Sequence, residues 1–228
     1  MTQPQPSLSL PRATLSLQVQ ERIREAIMQR LLKPGQRIDQ NKLAEDLQVS
    51  LVPVREALKG LEAEGLVTII PRRGAFVTEI SLSDLDDLYF ARALVEGETI
   101  AHAVDRMGEF DFARLHELIH LMQEATSRQH IKEFMELNRE FHLTIYRVLN
   151  NEHLLQAIVT LWDRSELYRY RYMFVLRNAD VVHEEHREIL AACEARDAAH
   201  AKELAVRHIQ HTQQGLKAKI AEELQADA

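Results

Sequence analysis

The chain has 228 residues, 46% of them hydrophobic and 28% charged, and a formal net charge of -7. One cysteine, Cys193, excludes an intrachain disulfide framework, and no uncharged apolar run approaches the roughly 18–20 residues that a membrane helix needs. The N-terminal stretch lacks a basic start followed by an apolar core, so it does not read as a signal peptide; the expected compartment is the cytoplasm, with no membrane partner.

These averages conceal two unlike parts. All six prolines fall within the first 71 positions, and all eleven histidines lie beyond residue 100. Residues 1–79 hold 11 Lys+Arg against 9 Asp+Glu, whereas residues 80–228 hold 17 against 26. We therefore expect a disordered tail over 1–14, one domain over 15–80 and a second over 81–228. The negative total does not exclude nucleic acid, because binding depends on the local field of one face.

Over residues 17–32 apolar side chains recur at helical spacing (Ile23, Ala26, Ile27, Leu31), and Lys33-Pro34-Gly35 stops that helix. A second short helix is expected over 41–47, with Leu43, Ala44 and Leu47 on one face. Gln48-Val49-Ser50 forms the turn. Ser50 is placed to N-cap a third helix, and Pro53 falls in its first turn, where a missing N–H costs little. Val54, Ala57, Leu58 and Leu61 form its buried stripe, and Gly65 ends it. Residues 66–70 and 75–79 then read as two strands around Pro71-Arg72-Arg73-Gly74. Two short helices, a tight turn and a small β-hairpin make a winged helix-turn-helix pattern.

In that pattern the third helix enters the major groove. Arg55 and Lys59 lie one turn apart, opposite the apolar stripe, and Arg55 can donate two hydrogen bonds to a guanine edge. Ser50 and the free N–H groups of the helix start suit a backbone phosphate. Arg72 and Arg73 at the hairpin tip suit the adjacent minor groove, with Gly74 allowing close approach. The alternative is a small helical interaction module whose arginines are merely solvated.

The segment LAEDLQVSLVPVREALKGLEAEGLVTIIPRRGAFV resembles the N-terminal domain of the GntR superfamily of bacterial transcription regulators. The match runs through Leu43-Ala44, Val49-Ser50, Pro53-Val54-Arg55-Glu56-Ala57-Leu58, Glu64-Gly65-Leu66 and Arg73-Gly74. The resemblance implies that Arg55 and the wing contact DNA. The family usually has an arginine where this chain has Leu51, so the expectation is either an altered operator sequence or a contact shared by other residues such as Asn41, Lys42 or Lys59.

Beyond Ile80 there is no proline, and helical periodicity continues to the end. Six main helices are expected, over about 83–107, 112–128, 131–149, 152–176, 179–196 and 198–223. Ser81 and Asp84 are spaced as a capping box variant over the first of them. The fold class is thus mainly α: a winged helix-turn-helix followed by an antiparallel helical bundle of six or seven helices.

Histidine placement is the chemical clue. Asn138 and His142 share one helix face, being four apart. His186 and His208 each lie about ten residues from the Arg196-Asp197 turn, which at 1.5 Å per residue puts both about 15 Å above it. Three helices then aim three imidazoles and one amide oxygen at one point, which suits a divalent ion such as Zn²⁺ or Ni²⁺. The alternative is that these histidines are solvated or hydrogen-bonded, as most helix histidines are.

The segments ARALVEGETIA, NREFHLTIY, EEHREILAACEARDAAHA and VRHI resemble the helical FCD domain of the FadR subfamily of these regulators. There an aspartate and three histidines bind a metal ion that helps to hold a small carboxylate effector. The resemblance carries the histidines onto His142, His186 and His208, and the aspartate position onto Asn138, a weaker neutral ligand that similar domains also use. It makes Arg92 the first choice to pair with the effector carboxylate, with a structural Arg92/Glu96 ion pair as the alternative. Arg139, Arg164, Tyr168 and Arg171 are further choices to line the cavity.

The expected function is a homodimeric transcription regulator that binds a palindromic operator and responds to a small organic acid. A helical metalloenzyme is the competing reading, but the proposed ligands include no carboxylate. The di-iron bundle pattern needs two Glu-x-x-His pairs, and the chain has only Glu117/His120. A ligand-free dimerisation scaffold is the third.

Overall fold

The structure is a computed structural model that describes residues 15–79, 81–173 and 179–226. The expected tail over 1–14 lies outside the described residues, as do the side chains at 167, 170–173 and 223–226, Arg171 among them. The chain divides into two compact units, with the division after Glu79.

The first unit contains α1 (Leu15–Met28), β1 (Arg37–Ile38), α2 (Gln40–Asp46), α3 (Leu51–Ala63), β2 (Val67–Ile70) and β3 (Gly74–Val77). Val19, Ile23 and Ile27 of α1 pack on Val54, Ala57, Leu58 and Leu61 of α3, all buried. Helix α1 ends earlier than its apolar spacing suggested. Arg30 takes a left-handed φ of 60°, which turns the chain before Lys33-Pro34-Gly35, and Leu31 is left 71% exposed. Gln48, in the turn between α2 and α3, also has a left-handed φ of 55°. That is the backbone state that glycine would adopt most cheaply.

The hairpin is part of a three-stranded antiparallel sheet in the order β1-β3-β2. Val67 pairs with Val77 and Ile70 with Gly74, while Arg37 of β1 pairs with Phe76 on the other side of β3. Strand β1 is too short to carry an alternation, so the sequence pattern gave no sign of it.

The second unit is all helical among the described residues: α4 (Leu82–Ala103), a single 3₁₀ turn (Val104–Arg106), α5 (Glu109–Ser127), α6 (Ile131–Arg147), α7 (Glu152–Met173), α8 (Ala179–Glu194) and α9 (Ala198–Ala226). Ser81 caps α4 by accepting from the Asp84 N–H at 3.3 Å. Helix α5 starts before Asp111 rather than after it. Asp111 sits in its first turn, and its carboxylate accepts from the Gly108 N–H at 2.8 Å.

Helix α4 runs against α9, and α7 packs on both. Gly97 permits the close approach, since a Cβ there would come within 2.8 Å of Val206 Cγ2. Helices α8 and α9 form a hairpin. Arg196 turns it with a φ of 59°, Asp197 accepts from the His200 N–H at 3.0 Å, and the Arg196 guanidinium donates to the carbonyls of Val104 and Met107. These bonds fix the level of α8 against α9. Trp162, Phe134, Phe141, Leu115, Leu118 and Ile189 fill the core between the helices.

Candidate functional site

The cations of α3 and the wing in the first unit face solvent. Arg55 and Lys59 are exposed on α3, and the Arg55 Nε donates to Gln40 Oε1 at 3.4 Å. Ser50 has the extended backbone of an N-cap, with no side-chain capping bond, so its hydroxyl stays exposed. Asn41 and Lys42 are exposed on α2, but their backbone N–H groups already donate to Asp39 Oδ1 at 3.0 and 3.1 Å. Only their side chains remain to meet a partner. Leu51 is half-buried, and Val52 beside it is 63% exposed.

At the wing, Arg72 and Arg73 are exposed, and Gly74 has a φ of 108°. Arg37 is a third arginine here, which sequence reasoning missed. Its Nε donates to the Arg73 carbonyl at 3.1 Å, and the same nitrogen lies 3.3 Å from where a Gly74 Cβ would sit. Any side chain at 74 would be strained and would crowd Arg37.

In the second unit, His142 of α6, His186 of α8 and His208 of α9 converge. Their ligand atoms lie within 4.8 Å of one another, and all three side chains are buried. The Nε2 atoms of His142 and His186 face each other at 3.3 Å. Tetrahedral zinc with bonds of 2.0–2.1 Å sets neighbouring nitrogens about 3.3–3.4 Å apart, so the spacing of this pair fits an ion. Burial, reinforced by the neighbouring histidines, holds His142 and His186 well below the usual imidazole range, which leaves their lone pairs free at neutral pH.

Glu185 was not foreseen. Its carboxylate takes His208 Nδ1 at 2.7 Å and His211 Nδ1 at 2.9 Å. This turns the His208 Nε2 towards the cluster and supplies the outer carboxylate that metal-binding histidines commonly use. Asn138 is buried and lines a cavity with His208, Arg92, Trp162 and Arg169.

Of the five residues expected to meet an organic acid, the four with described side chains are placed differently from one another. Arg92 lines the cavity, but it is bound to Glu96 at 2.7 Å and donates to Ser165 Oγ at 3.3 Å. Burial opposes its charge, and Glu96 overcomes that, so its pKa lies above the usual arginine value. Glu96 also accepts from the Tyr146 hydroxyl at 2.8 Å. Arg139 pairs with Asp163 at 2.7 Å, Arg164 is exposed, and the Tyr168 hydroxyl donates to Asp84 at 2.9 Å. None of these last three is among the cavity walls. The unforeseen wall is Arg169, which is 7% exposed and stacked 4.1 Å above the Trp162 ring.

One further pattern escaped the sequence reading. His116-Glu117-Leu118-Ile119-His120 has the His-Glu-x-x-His spacing of zinc proteases. Among the described residues no third ligand converges on it. His116 and His120 are 61% and 70% exposed and face Glu194 and Glu124, and Glu117 pairs with Arg114 at 2.6 Å.

Residues 15–77 match the model of the bacterial regulatory proteins of the gntR family, and residues 87–211 match the FCD domain. The chain belongs to the GntR family. This GntR regulator is 33% identical over 151 residues to the HTH-type transcriptional regulator McbR of Escherichia coli K12, covering 66% of the chain and 68% of McbR. It is 30% identical over 178 residues to the Nta operon transcriptional regulator of Aminobacter aminovorans, covering 78% of the chain and 83% of that protein. The solved structure of E. coli McbR/YncC superposes with a TM-score of 0.75 at 28% identity, over 92% of the chain and 100% of McbR. A regulator from Rhodococcus sp. RHA1, 21% identical, shows the same fold with a TM-score of 0.73 over 90% of the chain and 99% of its own. The chain is therefore a DNA-binding transcription regulator with an FCD effector domain, and not an enzyme.

Proposed function

We propose that this GntR regulator binds its operator less or more tightly according to whether a small organic acid sits beside a divalent ion in the helical unit. The observation that carries the reading is the trio of buried imidazoles with ion-compatible spacing, at a cavity with cationic walls. Asn138, His142, His186 and His208 would hold the ion, zinc or a similar metal such as nickel. The ion would supply an electrophilic centre for an acid. Around it, Glu185 orients His208, and Arg92 and Arg169 make the cavity attractive to an anion.

On the DNA side, Arg55 is the base-reading residue, with Lys59, Asn41 and Lys42 beside it. Ser50 meets a phosphate, and Arg72, Arg73 and Gly74 reach the minor groove. Val52 presents apolar surface at the start of α3, which suits a thymine methyl. Leu51 then stands where the family's arginine would have read a different base. Two copies would read a palindromic operator in the cytoplasm, since a two-fold protein matches a two-fold site.

Operator fragments selected from random DNA, followed by anisotropy with the zinc-loaded protein and a panel of small acids, test this reading. At least one acid should change operator affinity severalfold in wild type and not in His142→Ala. An effector can shift the equilibrium only by its differential affinity for the two states, so an acid that binds without changing DNA affinity would count against it. If wild type and His142→Ala hold equally little metal, the helical unit is a dimerisation scaffold instead.

A further inference from the structure

We infer that the effector is a compact organic dianion, with one anionic group at the histidine cluster and the second on the guanidinium of Arg169. The inference rests on the acid-sensing reading above and narrows it from small acids in general to dicarboxylates.

The cavity holds two guanidiniums, and they are not equivalent. Arg92 is matched by Glu96 at 2.7 Å and also donates to Ser165. Arg169 has neither kind of partner among the described residues, although it is 93% buried, being 7% exposed. Its flat face lies on Trp162, as does that of Arg92, with the guanidinium carbons 4.1 and 4.5 Å from the ring centroid. The indole attracts both cations but accepts no hydrogen bond in the ring plane. A buried guanidinium with unused N–H donors is costly unless an anion meets it. Burial, with Arg92 nearby, lowers the Arg169 pKa to about 10, and the charges of Glu96 and Glu166 only partly offset this, so the cation persists at neutral pH with no ion pair or hydrogen bond among the described residues.

The second positive centre is the ion itself. Its ligands would be three neutral imidazoles and the amide of Asn138, none of which brings a negative charge. An aspartate at that position would have supplied one. Glu185 touches His208 from behind, at Nδ1, and is not directed at the cavity. A monocarboxylate satisfies one centre and leaves the other bare. Two carboxylates satisfy both, and the planar fork of Arg169 suits bidentate capture of one of them.

Isothermal titration of the zinc-loaded full chain tests this with acids matched in carbon number: butanoate against succinate, and pentanoate against glutarate. For at least one pair the diacid should bind wild type at least tenfold more tightly. Arg169→Gln should abolish that preference while zinc stoichiometry, read by elemental analysis, stays at the wild-type value. Because no described residue pairs directly with this buried charge, Arg169→Gln should also raise the melting temperature of the ligand-free protein, where loss of a merely structural arginine would lower it. Arg169→Lys keeps the charge without the fork and should retain part of the preference. Equal affinity for mono- and diacids in wild type, or a preference that survives Arg169→Gln, overturns the inference alone. If zinc-loaded wild type binds no acid of either kind, the acid-sensing reading falls as well.

Discussion

The arginines at the two candidate sites do opposite things. In the first unit Arg55, Arg72 and Arg73 are exposed, and no carboxylate pairs with them among the described residues. In the second unit Arg92 and Arg169 are buried around one indole, the first paired with a carboxylate and the second with no such ion pair among the described residues. An exposed cation stays hydrated at little cost, and its solvation is exchanged only when a phosphate or base edge arrives. A buried cation has already lost its water, so its energy depends on which anion is beside it. The first kind suits a long polymer approached by diffusion. The second suits discrimination among small ligands.

The sharpest way to break this comparison is to leave Arg92 unmatched. Glu96→Gln removes its carboxylate, and loss of one partner from a buried ion pair costs about 3–5 kcal/mol. Urea denaturation of the metal-free protein should show that loss; a change below about 1 kcal/mol would mean that water reaches the pair.

Acid comes next in size. His142 and His186 sit well below the usual imidazole value in the folded state, while an unfolded chain protonates each below about pH 6.5. The unfolded state then binds more protons, so stability is full above about pH 6.5 and falls as pH drops below it. The slope is at most about 1.4 kcal/mol per pH unit for each histidine. Urea midpoints of metal-free protein between pH 7.5 and 5.5 check the sign, and a flat profile would contradict the burial.

The exposed unit should behave in the other way. Arg55→Ala should weaken operator binding by about 1–3 kcal/mol and leave the melting temperature unchanged. A matching loss of stability would show that Arg55 supports the fold instead. The smallest effect is expected for Arg139→Ala. Its pair with Asp163 is only 29% and 28% exposed on the two sides, which falls short of burial, so a loss below about 1 kcal/mol is expected in the same urea assay.

Much of this was legible because a few residues constrain the backbone strongly. The proline and glycine breakers and the apolar stripe of α3 mark the helix-turn-helix. A constant rise per residue let the Arg196-Asp197 turn place His186 and His208 at one level. What stayed hidden depended on rotation and on neighbours distant in sequence. Arg164, Tyr168, Arg169 and Arg171 lie along the same part of the chain, and only the packing of α7 against α4 and α9 decides that Arg169 faces inward. Glu185 is adjacent to His186, yet its role comes from α9. Strand β1 carries two residues, and its partner is some forty positions away. His116 and His120 show the reverse case: a metal spacing in the sequence that the fold leaves on an open surface.

Trp162 is the only tryptophan in the chain. It touches both guanidiniums and lies 5.2 Å from the His142 ring, with its indole N–H unpartnered among the described residues. Excited beyond the tyrosine band, the whole protein therefore emits from one point at the edge of the cavity. Any occupant that changes the local field or takes up that N–H alters the colour and yield of this emission. The regulator thus carries its own optical probe of whether the cavity is filled, with no dye attached and no second fluorophore to obscure it.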